Sequence, residues 1–277
     1  TLIYSRGGIH AIRRILAEDS EVDPSANYNR TIYWAAKNGH LDLVQELLKD
    51  SRVDPSSGDN YMIAAASEYG HLDIVKELLK DSRVDPSAFE NYAITVASKN
   101  GHLDVVRALL KDSCVDPSDD DNCALRFASE EGHLHVVREL LMDSRVNPSA
   151  DSNDAIRIAS EEGHLDVVRE LLWSSHVDQF FNDNSVTDLG NTNGPLDIVC
   201  EPMKSPHVDP SDCNNIAICH ASKNGHLDVV RELLKDSRVN PSANDNYAVD
   251  MARQNGHLDV VQELTIDPRF DPSAGRN

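Results

Sequence analysis

Gly163-His164-Leu165-Asp166-Val167-Val168-Arg169-Glu170-Leu171-Leu172 decides the fold, because it recurs. Gly-His-Leu stands at Gly39, Gly70, Gly101, Gly132, Gly163, Gly225 and Gly256. Each step is 31 residues, except the double step from Gly163 to Gly225. Gly194 falls in register inside that double step, with Pro195 in place of the histidine. One register therefore runs through eight copies. A period of about 20 to 50 residues marks a stack of units, each with an apolar face that only its neighbours can bury.

Within the quoted stretch, Leu165, Val168, Leu171 and Leu172 follow the 3-and-4 spacing of an amphipathic helix, and Val167 widens the stripe. Asp166 near its start suits the positive end of a helix, and Arg169 lies within reach of it one turn on. Upstream, Asn153 opens the repeat, with equivalents at Asn29, Asn60, Asn91, Asn122, Asn184, Asn215 and Asn246. Asn is a favoured N-cap, so it predicts the start of a first, shorter helix. Ala155 and Ala159 share one face of that helix, which lets a neighbouring helix approach closely. Gly163 past its end is a C-capping residue. Downstream, Lys-Asp-Ser-Arg-Val-Asp-Pro-Ser at 80–87 predicts an extended connection with a turn, Pro86 forcing Asp85 out of helical geometry. Val84 is expected as its buried anchor.

A short Ala-rich helix followed by Gly-His-Leu-Asp-Val-Val-Arg-Glu-Leu-Leu resembles the ankyrin repeat, over essentially the whole chain. The resemblance implies an all-α solenoid of stacked helix-turn-helix units with short connecting turns. Two features depart from the family pattern. The usual repeat is about 33 residues, and the shorter unit here places the deficit in the connection, reducing the projecting β-hairpin to a tight turn. The Thr-Pro-Leu-His opening of the first helix is also absent, replaced by patterns such as Tyr92-Ala93-Ile94-Thr95.

The chain reads as one array over 1–277: a partial repeat at 1–28, regular repeats at 29–181, a degenerate one at 182–212 and regular repeats at 213–277. The broken opening repeat suggests a chain cut from something longer. In the degenerate repeat, Pro202 stands where other copies have Leu, so its second helix is expected to stop near Cys200, with Phe180 and Phe181 filling the gap. Decay and a hinge both explain that repeat.

Composition narrows the function. With 47 acidic and 26 basic residues the formal charge is −21, which disfavours nucleic acid and anionic membrane and favours a basic or mixed-charge partner. Five cysteines at unrelated repeat positions fit reduced thiols in an intracellular, cytoplasmic setting. No apolar run approaches the ~18 residues of a transmembrane helix.

Catalytic and metal signatures are weak. Equivalent histidines on stacked helices about 8–10 Å apart are too far apart to share a zinc whose ligands sit about 2 Å away, so a capping or inter-loop hydrogen bond is the expected role of His164 and its equivalents. Asp119-Asp120-Asp121-Asn122 lacks the spacing, central Gly and closing Glu of an EF-hand loop. Cys219 and His220, adjacent on a helix, point apart and read as a semi-buried pair. No cofactor, metal or catalytic set is expected.

Positions that vary between repeats carry the remaining information. In ankyrin-like arrays the turn and first helix line the concave face, where partners bind. Here those positions hold aromatics toward the N-terminal side: Tyr33, Tyr61, Tyr69, Phe89 and Tyr92. Asp120, Glu130, Glu131, Glu161 and Glu162 follow, with Arg126 and Arg157 among them. Tyrosine beside charge is a hot-spot composition. The expectation is a monomeric, non-enzymatic scaffold binding a partner polypeptide on this acidic face. A recruiting module of a larger enzyme and a structural spacer are the rival readings.

Overall fold

The computed structural model describes residues 23–173 and 208–274. Among these there are fourteen helices and no strand. They come as seven pairs, one pair per repeat: α1 Ala26–Lys37 with α2 Leu41–Leu47, α3 Ser57–Glu68 with α4 Leu72–Leu78, and α5 Ala88–Lys99 with α6 Leu103–Leu109. Then follow α7 Asp119–Glu130 with α8 Leu134–Leu141, α9 Ala150–Glu162 with α10 Leu165–Trp173, α11 Asp212–Asn224 with α12 Leu227–Leu234, and α13 Ala243–Gln254 with α14 Leu258–Ile266. The chain divides into two compact blocks, the first ending at Ala128 and the second beginning at Ser129.

Each repeat buries the stripe its sequence announces. In α10, Val167, Val168, Leu171 and Leu172 are buried. In α9, Ala155, Ile156 and Ala159 line the opposing face. Gly70 shows why the Gly-His step is needed. Its φ is +73°, and a Cβ there would lie 2.7 Å from the His102 ring of the next repeat. Its chain neighbour His71 donates its backbone N–H to Ala66 O at 2.9 Å, five residues back, closing the helix in a Schellman-type turn. At α4 and α6 the imidazoles form no side-chain cap bond and instead reach the preceding repeat. His71 Nε2 donates to Lys37 O at 3.0 Å and His102 Nε2 to Glu68 O at 3.0 Å; in the second block His164 Nε2 reaches Glu130 O at 2.8 Å. A carbonyl facing Nε2 requires the proton on that nitrogen.

The connection is a series of side-chain-locked turns. Asp50 accepts the backbone N–H, Nε and Nη2 of Arg52, and Asp81 with Arg83, Asp143 with Arg145 and Asp267 with Arg269 repeat the pattern. Asp54 Oδ1 then takes both the N–H and the hydroxyl of Ser56. Val53, Val115, Val146, Val208 and Val239 are buried anchors, but Val84 itself is only half-buried.

The repeated Asn corrects the sequence reading. It is not an N-cap. Six of the seven described first helices open with three left-handed residues, at 58–60, 89–91, 120–122, 151–153, 213–215 and 244–246, with φ between 47° and 67°. Asn occupies the last of the three because its short polar side chain tolerates that region. Its side chain then spans to the next repeat. Asn29 Oδ1 accepts the Asp54 N–H at 3.0 Å, Asn60 that of Asp85 at 2.7 Å, and Asn91 that of Asp116 at 2.8 Å. Asn91 Nδ2 also donates to Asp119 at 2.8 Å. This ladder connects repeats that lack the Thr-Pro-Leu-His opening.

The second block holds an unexpected junction. Asn153 Oδ1 accepts the N–H of Asp209, 56 residues on, where its equivalents reach 25 residues. The difference is one 31-residue period. His226 Nε2 donates to Glu161 O at 2.9 Å, and the ring fills the space beside Gly163 as His164 does beside Gly132. Arg169, expected to reach Asp166, instead pairs with Glu232 at 2.9 Å. Arg138 with Glu170 and Arg231 with Glu263 are the same pair one repeat either side. Repeat five therefore stacks directly on repeat seven. Residues 1–22 of the expected partial repeat at 1–28, Phe180, Phe181 and the expected helix end near Cys200 lie outside the described residues.

Candidate functional site

The aromatic candidates sit in the first block, and the left-handed turns place them. Phe89 is itself in such a turn; Tyr61 and Tyr92 follow the Asn that closes one, on the first helical residue. Tyr61 and Tyr92 point outward because the next residues, Met62 and Ile63 or Ala93 and Ile94, take the buried face. Tyr61 is 45% exposed, Tyr69 44%, Phe89 61% and Tyr92 38%. Tyr33 is half-buried, its ring 5.5 Å from that of Tyr61 and tilted by 32°. Lys37 Nζ lies 5.1 Å from the Tyr69 ring centre.

The electrostatics show how closely these groups gather. Partial burial pushes the Tyr61 phenol up, and the neighbouring Tyr33, Tyr92 and Glu68 add to it. The Lys37 ammonium is held above its ordinary value by its hydrogen bond to Tyr69 and by Tyr33. Tyr61, Phe89 and Tyr92 border a shallow depression with Asp59 and Asp85. Asp120 is exposed in the left-handed turn of α7, and Arg126 is half-buried with Nη2 3.9 Å from Cys123 Sγ.

In the second block the charged candidates divide into two groups. Glu131 and Glu162 are exposed beside the glycines that end α7 and α9. Glu130 and Glu161 are half-buried, their carbonyls holding His164 and His226. Arg157 is tied back at both sides, through Nε to Asp154 at 2.7 Å and Nη1 to Glu161 at 3.2 Å. His220 Nδ1 is 2.8 Å from Glu161 Oε2. His220, read from the sequence only as half of a semi-buried pair with Cys219, joins Asp154, Arg157 and Glu161 here. The spacing Asp154, Arg157, Glu161 carried the first signal, being i, i+3 and i+4 on a helix. Nothing in the sequence pointed to this place for His220, because it joins the group only when repeat seven meets repeat five.

Other chemistry is limited. Burial pushes the thiols of Cys123 and Cys219 up to about 11, so neither is a thiolate at neutral pH. Among the described residues no cluster of three or more His, Cys, Asp or Glu is placed to hold a metal ion. No described helix is long and apolar enough to cross a membrane.

The family model for ankyrin repeats (3 copies) matches at residues 2–90, 61–152, 94–185 and 157–274. The last match covers more chain than the others and spans the junction between repeats five and seven. A search of curated proteins finds no match. Paired helices, Gly-His steps and matches along nearly the whole chain agree: this chain belongs to the ankyrin repeat family.

Proposed function

We propose that the array is a non-enzymatic scaffold that binds a partner polypeptide on the face made by its turns and first helices. One observation carries the reading. Tyr61, Tyr69, Phe89 and Tyr92 are large, exposed and concentrated on two consecutive repeats. A monomer that leaves such residues in water gains nothing from them unless a partner covers them. The acids around them and the charge of −21 favour a basic or mixed-charge partner over nucleic acid or anionic lipid. Asp59, Glu90 and Asp120 are exposed in the first block, and Glu131 and Glu162 are exposed in the second. Arg157 and Glu161 serve the stack first, because each is bonded within it. The free cysteines support an intracellular setting, with the array acting as a monomer.

The test compares retention from cell extract by the parent and by a variant carrying Tyr61→Ala, Tyr92→Ala, Glu131→Lys and Glu162→Lys. These sites are exposed, so circular dichroism should show an unchanged fold. A protein held by the parent, released by raising the salt and lost from the variant supports the reading. Equal retention by both moves binding to another surface.

A further inference from the structure

The exposed aromatics of the first block share a chemistry that the binding proposal does not specify. The depression between repeats two and three is too shallow to swallow a side chain, so an aliphatic anchor would gain little burial there. What it offers instead is ring surface. Tyr61, Phe89 and Tyr92 are exposed beside it, and Asp59 and Asp85 line the same depression, Asp85 with its Oδ1 already accepting from the N–H and hydroxyl of Ser87. The block already uses the matching interaction twice within itself. Lys37 Nζ sits 5.1 Å from the Tyr69 ring and Lys99 Nζ 4.8 Å from the Phe127 ring. Aromatic faces in this block therefore hold cations.

A group that is flat, cationic and able to fork onto a carboxylate while lying on a ring fits this arrangement. The guanidinium of arginine has all three properties; an ammonium can sit over a ring, as Lys37 and Lys99 do, but is neither flat nor able to fork. We infer that Tyr61, Phe89 and Tyr92, with Asp59 and Asp85, form an arginine-reading subsite for an extended segment of the partner. The inference rests on the proposed binding role and narrows it. A phosphorylated segment is disfavoured because both rim carboxylates would oppose it. An anionic lipid surface meets the same repulsion.

The experiment uses the full chain and two short probes. One is a flexible Gly/Ser peptide carrying two arginines; the other is the same peptide with lysines. Affinity is measured by titration at physiological salt, and ring-proton shifts of Tyr61 and Tyr92 are followed by NMR. Charge alone attracts both peptides equally. Stacking on exposed rings adds a preference for arginine of about fivefold. In the triple variant Tyr61→Ala, Phe89→Ala, Tyr92→Ala the preference should vanish while weak, salt-sensitive binding of both peptides persists. In Asp59→Asn with Asp85→Asn both affinities should fall. Equal affinity of the two peptides, a preference that survives the triple variant, or no arginine binding at millimolar concentration would each overturn the subsite. A partner captured from extract and lost from the surface variant, with no arginine preference, would leave the binding role standing and remove only this inference.

Discussion

Deleting Val177–His207 removes one 31-residue period and joins His176 directly to Val208. The direct contact of repeats five and seven makes the outcome calculable. Among the described residues the bonds across that junction lie outside the deleted stretch: Asn153 with Asp209 and Asp212, Glu161 with Asn224, His226 and His220, and Glu232 with Arg169 and Trp173. The shortened connection leaves three residues between Trp173 and Val208, the number that separates Lys49 from Val53 in repeat one. The closed loop falls from 34 residues to 3, between three and four halvings. At about 0.6 kcal/mol per halving, the deletion stabilises the second block by roughly 2 kcal/mol. That corresponds to a rise of about 4–8 °C in midpoint for a protein of this size. Urea and thermal melts followed by circular dichroism read it directly. Were repeat six inserted between five and seven, its removal would force a new interface and lose nearest-neighbour stacking energy. A variant less stable than the parent would refute the direct junction.

Three further outcomes follow. Gly70→Ala places a Cβ 2.7 Å from the His102 ring at φ +73°, and should cost about 2–3 kcal/mol from strain and lost contact; a change under about 0.5 kcal/mol in the urea midpoint would contradict the packed imidazole. The arginine forks hold Asp50 down at about 2 and lower Asp81, Asp143 and Asp267 in the same direction. Depressed carboxylates contribute stability that is present above their unfolded value of about 4 and lost as pH falls through the folded one. The urea midpoint should therefore drop steeply from pH 4 toward 2.5, and a flat profile would count against the forks. Of the four described cysteines, exposed Cys114 and Cys213 should react with a thiol reagent in the native protein at pH 8, while Cys123 and Cys219 react only on unfolding. Mass mapping of the labelled peptides checks this.

Much of the repeat was legible because it is local. The stripe of α10 and the left-handed Gly163 each follow from spacing and residue type within a few turns. The Asn role was hidden because N-caps and left-handed positions favour the same short polar side chain, and only the acceptor contact 25 residues away separates them. The junction was hidden because Gly194 keeps the period, so counting along the chain gives repeat six a place between its neighbours. Which repeat touches which is a matter of three-dimensional pairing. Glu232 hints at it in retrospect: it is buried, and Arg169, Trp173 and Lys235 all reach it. The charged candidates were read as open surface, yet Arg157 is tied to Asp154 and Glu161 on its own helix, and Glu161 also faces His220, which sequence distance conceals.

The binding face is tested most directly by hydrogen–deuterium exchange on the array with and without a partner that the parent retains and the surface variant loses. The expected result is slowed exchange at the turns and first helices, above all residues 57–69 and 88–99, with the second helices 41–47, 72–78 and 103–109 unchanged. Protection confined to those second helices would place the partner on the opposite side and contradict the assignment of the aromatic, acidic face.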